Sequence, residues 1–134
     1  MPAAALATDA PAVAESGVIP WTPATVAATL GIFLFAGLAE IGGGWLVWQG
    51  MRKGRPWWWI VGGVAVLACY GFIPTLQPPA ASFGRVYAVY GGVFIALSYA
   101  WGAVLDGDRP DAGDWAGGAV ALAGVVLAWF WPRR

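Results

Sequence analysis

The sequence predicts an all-α membrane protein of four transmembrane helices, and two observations predict it. Of the 134 residues 60 % are hydrophobic and only 10 % are charged, against about 25 % charged in an ordinary soluble domain. The apolar residues also gather into four runs of membrane-crossing length, near 25–48, 57–76, 85–105 and 115–131, separated by short basic, proline-rich or acidic stretches. A helix needs about 20 such residues to cross a hydrocarbon core ~30 Å thick.

The elements follow in order. Residues 1–23 are rich in Ala and Pro, carry Asp9 and Glu15 and lack basic side chains. Without a positive start or a continuous apolar core this is not a secretory signal, and it reads as a flexible tail before the membrane domain, residues 24–134. Trp21 and Pro23 mark the entry to the first span. The first loop carries Arg52, Lys53 and Arg55, and Trp57, Trp58 and Trp59 open the second span as an interfacial aromatic belt. Pro74, Pro78 and Pro79 end that span, and Gln77 to Phe83 forms a turn. The third span starts near Arg85 and has Trp101 close to its exit. The acidic loop from Asp106 to Asp114 follows, and Asp114 is the expected N-cap of the fourth span. An even number of spans puts both termini on one side. Three basic residues in the first loop place that loop in the cytoplasm and both termini outside. The bias is small, with Arg52, Lys53, Arg55 and Arg109 on one side against Arg85, Arg133 and Arg134 on the other, so dual insertion stays open.

Several functions are disfavoured by composition. Net charge is zero, so nothing points to a nucleic-acid partner. There is no histidine, which removes the commonest metal ligand and the usual proton shuttle. No nucleophile stands beside a base, so an enzyme is not expected, nor is a cofactor. Proton chemistry is left to carboxylates and tyrosines. Asp106, Asp108, Asp111 and Asp114 lack the glycine and distal glutamate of a calcium loop and read as a solvated turn rather than a metal site.

One residue breaks the pattern. Glu40 is the only ionisable group between Pro23 and Arg52, just past the middle of a run roughly 36 Å long as a helix. A charge at that depth costs roughly 2.5–3.5 kcal/mol on insertion scales, and such residues are functional by default. At helical spacing its face holds Phe33, Ala36, Gly37, Gly43, Gly44 and Val47, nearly bare of side chain. Such a face admits either a neighbouring helix or a ligand. The alternative is a protonated Glu making a structural contact. In the fourth span Gly117, Ala121, Gly124 and Ala128 form a ribbon of small residues, suited to packing within the chain or to a dimer seam; Ala88, Gly92 and Ala96 form another in the third. Four spans enclose too little to seal a pathway around one carboxylate, so a homodimer in the lipid bilayer is expected. Arg85 opens the third span too far in depth to pair with Glu40 in its own chain, and it reads either as a helix-end lipid contact or as a gating group. Tyr87 and Tyr90 are either interfacial aromatics or hydroxyl donors into a cavity.

The run Gly84-Arg85-Val86-Tyr87-Ala88-Val89-Tyr90-Gly91-Gly92-Val93-Phe94 resembles the signature of the YnfA-like family of small bacterial inner-membrane proteins. Ala39-Glu40-Ile41-Gly42-Gly43, Thr75-Leu76-Gln77-Pro78 and Asp106-Gly107-Asp108-Arg109-Pro110-Asp111 match its other landmarks in order. The likeness runs from about Leu30 to Arg134, and Val61-Gly62-Gly63 departs from it where relatives carry a proline. That family is similar to the small multidrug resistance transporters. The resemblance implies a four-helix protomer working as a dimer, with Glu40 at the position of a first-helix glutamate that binds either protons or a cation.

The expected mechanism is proton-coupled efflux. One carboxyl holds a proton or a small organic cation but not both, and Tyr87, Tyr90, Trp45 and Trp101 hold the cation's flat face by cation–π contact. Gly43, Gly44, Gly91 and Gly92, with Arg85, form the surrounding shell or gate. A small ion channel and a structural subunit of a larger membrane complex are the competing readings.

Overall fold

A computed structural model describes residues 19–132. Four helices carry the chain: α1 (Pro23–Arg52), α2 (Trp57–Tyr70), α3 (Phe83–Trp101) and α4 (Ala112–Phe130). A 3-10 turn, Ile73–Leu76, continues α2, and a π turn, Gly102–Asp106, continues α3. With these extensions each of the four segments is long and apolar enough to cross a membrane. Residues 1–18 of the predicted tail, and Arg133 and Arg134, lie outside the described residues.

The helix starts follow from local chemistry. At α1, Thr22 and Thr25 cap each other: the Thr25 amide donates to Thr22 Oγ1 at 3.2 Å and the Thr22 amide to Thr25 Oγ1 at 2.8 Å. Pro23 then occupies the first turn, where a missing N–H costs nothing. At α4 the cap is Asp111, not the expected Asp114. Asp111 Oδ1 accepts from the Gly113 amide at 2.7 Å and the Asp114 amide at 3.0 Å, while Asp114 Oδ2 accepts from the Asp111 amide at 2.9 Å. Two acids three residues apart make a reciprocal capping box, in which the first caps and the second reaches back. Helix α4 therefore starts at Ala112 and runs for 19 residues.

Two glycine contacts set the helix spacing. A Cβ on Gly63 would lie 2.5 Å from the Gly43 carbonyl oxygen, and one on Gly43 would lie 3.0 Å from the Gly63 carbonyl oxygen. Backbone meets backbone there, so α1 and α2 pack at a distance that side chains would prevent. Gly63 is thus the counterpart of the small face on α1, while Gly62 faces open space. Between α3 and α4, a Cβ on Gly92 would meet the Ala121 carbonyl oxygen at 3.0 Å.

The buried core is Phe33, Ala36, Ile73, Val86, Val89, Tyr90 and Trp129, with Ile19 at its edge. It lies toward the end of the bundle where the chain enters. Trp21 packs on Phe130 and Trp129 with ring centroids 4.8 and 6.0 Å apart, so the start of α1 and the end of α4 are together. Gln77, 7 % exposed, joins the proline-rich turn to this end by donating from Nε2 to the Thr29 carbonyl at 3.2 Å. Large apolar side chains such as Leu30, Leu34, Phe35, Val120 and Leu127 point outward, as they do where the surroundings are hydrocarbon. At the other end of the bundle, Arg52 lies 4.9 Å over the Trp48 ring and Arg55 lies 5.3 Å over the Trp59 ring.

Candidate functional site

Glu40 is half-buried between α1 and α3. Its carboxylate accepts a short hydrogen bond at Oε2 from the Tyr90 hydroxyl. Tyr90 is itself 5 % exposed and wedged among aromatic rings: Phe33 stacks on it at 6.4 Å, Tyr70 lies at 5.8 Å and Phe94 at 6.0 Å. Tyr70 interacts with Glu40 as well as with Tyr90. The carboxylate thus has two phenols beside it and no basic partner among the described residues.

From this pair a cleft of about 480 Å³ runs between the second half of α1 and the end of α3. Glu40, Gly44, Trp45, Trp48, Trp101 and Asp106 line it, with Ile41, Leu67, Phe94 and Ser98 between them. Trp45 and Trp101 stand edge to face at 6.1 Å, a geometry that the ring quadrupole favours. The Trp101 ring rests on the bare backbone of Gly42, where an added Cβ would come within 3.2 Å. The Trp45 indole N–H is shared between Asp106 Oδ1 at 3.0 Å and Oδ2 at 3.2 Å. The arrangement is an open cleft lined by three tryptophans and two carboxylates.

The predicted residues divide. Glu40, Tyr90, Trp45, Trp101 and Gly44 come together here. Tyr87 does not: it stacks on Phe83 at 4.4 Å and lines a separate cavity of about 380 Å³ with Pro74, Gln77 and Pro78, toward the chain-entry end of the bundle. Three residues along a helix move a side chain by about 60° and 4.5 Å, enough to carry Tyr87 away from Glu40. Arg85 is half-buried in the first turns of α3 and does not line the cleft. Of the glycines, Gly43 serves the α1–α2 crossing and Gly92 the α3–α4 crossing, whereas a Cβ on Gly91 would meet nothing. The ribbon on α4 also divides. Ala121 lies against Gly92 and Ala128 is half-buried, while Gly117 and Gly124 face open space.

The chain matches the family model described as "Uncharacterised BCR, YnfA/UPF0060 family" over residues 26–134. The chain belongs to the YnfA/UPF0060 family. A UPF0060 membrane protein of Arthrobacter sp. (strain FB24) is 54 % identical over 110 residues, covering 82 % of this chain and 97 % of the relative. One from Rhodococcus jostii (strain RHA1) is 53 % identical over 109 residues, covering 81 % and 99 %. One from Streptomyces avermitilis is 55 % identical over 102 residues, covering 76 % and 90 %. No solved structure matches.

Two residues of this YnfA/UPF0060 site escaped the sequence reading. Tyr70 is the only hydroxyl-bearing residue of α2, a signal that was present but weak beside the tryptophans. Asp106 is exposed, as the solvated acidic loop implies, and it also lines the cleft. Only the π turn, which carries the chain on past Trp101, brings its carboxylate back to the Trp45 indole.

Proposed function

We propose that this YnfA/UPF0060 protein is a secondary transporter of the small multidrug resistance type, exporting small organic cations in exchange for protons. It works as a homodimer in the bacterial inner membrane, with the first loop in the cytoplasm. The observation that carries the reading is the Glu40 carboxylate, bonded only to neutral phenols and opening into a cleft walled by Trp45 and Trp101. A carboxylate in such surroundings needs a compensating positive charge, and either a proton or a cation can supply it.

The exchange follows from single occupancy. A cation entering from the first-loop side meets the indole faces, each contact contributing about 0.5–2 kcal/mol, and displaces the proton from Glu40. Tyr90 holds the carboxylate in place by its hydroxyl whichever guest is bound. The loaded bundle then opens at its opposite end, where Tyr87 is the hydroxyl the departing cation meets and Arg85 gates the exit. A proton from outside reoccupies Glu40 and returns the bundle. Gly117 and Gly124 supply the dimer seam, since they are small and face away from their own bundle.

The test is proton release from detergent-solubilised protein in weak buffer on adding a quaternary ammonium cation. About one proton per site is expected from the wild type and none from Glu40→Gln. Release that persists in Glu40→Gln refutes the assignment.

A further inference from the structure

Glu40 is not the only carboxylate in the cleft. Asp106 lines the same cavity. Its hydrogen-bond partner is the neutral Trp45 indole, and no basic side chain pairs with it among the described residues. Arg52 is engaged over the Trp48 ring. Asp106 is exposed, and the neutral N–H donor leaves its negative charge uncancelled. Two carboxylates therefore line one cleft with Trp45 and Trp101, and one proton or one monovalent cation neutralises only the first of them.

Their separation is set by α1. Trp45 lies five residues beyond Glu40, which is about 7.5 Å along the axis, and its indole N–H reaches Asp106. A guest that satisfies both carries two positive centres separated by a flexible apolar spacer, with the spacer lying against Trp45 and Trp101. We propose that Asp106 is a specificity-determining residue that gives this cleft a preference for elongated organic dications over monocations of equal bulk. The inference rests on the transporter reading of Glu40, and it adds a substrate class and a residue to that reading.

The probes are 1,6-bis(trimethylammonium)hexane and hexyltrimethylammonium, which share a headgroup and spacer and differ in the second charge. Binding to the purified full-length protein is followed by quenching of tryptophan fluorescence and by calorimetry. The wild type should bind the dication about two- to fivefold more tightly than the monocation, as one additional exposed charge contact allows. Asp106→Asn should abolish that ratio while leaving monocation binding within about twofold, and Asp106→Glu should restore the ratio. Trp45→Phe keeps an aromatic wall but removes the N–H from which Asp106 accepts, so it should lower the dication preference even if Asp106→Asn folds poorly. A wild type that binds the monocation through Glu40 but shows no dication advantage overturns the proposal for Asp106 alone. So does an Asp106→Asn variant that weakens both probes equally, since Asp106 would then only position Trp45. If neither probe binds in a Glu40-dependent manner, the transporter reading itself fails and the inference falls with it.

Discussion

Tyr90 on α3 donates its hydroxyl hydrogen to Glu40 on α1, so the one carboxylate set deep in the apolar spans is held by a residue from another helix. The bond lies beneath the aromatic cleft and ties the site to the packing of Phe33 and Tyr70 around the same phenol. Tyr90→Phe keeps the ring and removes only the donor. The bond is kept whichever guest is bound, so its loss acts only through the placing of the carboxylate, and cation binding should weaken by about two- to fivefold. Calorimetric titration of the variant with a quaternary ammonium cation checks this, and unchanged affinity would show that the bond does not serve the site.

Competition for Glu40 sets a sign for pH dependence. Proton and cation compete for one carboxyl, so cation binding must weaken as pH falls. It should tighten by up to about tenfold per pH unit as pH rises. Binding to Glu40→Gln should be weak and flat with pH. Asp106→Asn should keep the slope for a monocation, because the exchanging proton sits on Glu40. Dissociation constants measured between pH 5 and 9 decide the matter.

The Gly43–Gly63 crossing makes a prediction about stability. Gly63→Ala drives a Cβ to 2.5 Å from the Gly43 carbonyl oxygen, and backbone cannot yield as a side-chain tip can. Overpacking of this kind costs about 1–3 kcal/mol, seen as a lower thermal midpoint in detergent. Gly44→Ala, whose Cβ would meet nothing within 4 Å, is the matched control and should leave the midpoint nearly unchanged.

A dimer seam on α4 predicts a separable defect. Gly124→Leu adds bulk to a face that touches nothing in its own bundle, so helix content should persist while the dimer dissociates. Light scattering of the detergent complex measures this. Val125→Ala, on the face packed against Gly92, should instead lower stability without changing the oligomeric state. A Gly124→Leu protein that remains dimeric places the seam elsewhere.

How much was legible depended on the kind of signal. Glu40 and the four spans stood out because a lone charge and long apolar runs are one-dimensional contrasts, visible without any partner. The small residues on α1 and α4 were visible too, but their uses were not. Gly43 proved to be paired with Gly63, and the α4 ribbon divided between an inward Ala121 and outward Gly117 and Gly124. Tyr87 and Tyr90 looked alike because they share a motif, and only the crossing of α3 with α1 separates them. The capping of α4 misled for a local reason. Asp111 and Asp114 are both good caps, and the reciprocal pair has to form before one can be seen to precede the other.

By itself the sequence determined the class of this protein, its four membrane-length segments and the presence of a carboxylate deep in the first, because each follows from the cost of placing a given side chain in hydrocarbon. The tertiary structure decided which groups meet that carboxylate. Tyr90, Tyr70 and Asp106 come from α3, α2 and the turn after α3, and their approach depends on helix register and on how closely the glycine faces let the backbones pack. Those quantities are properties of pairs of helices, and no single stretch of chain contains them.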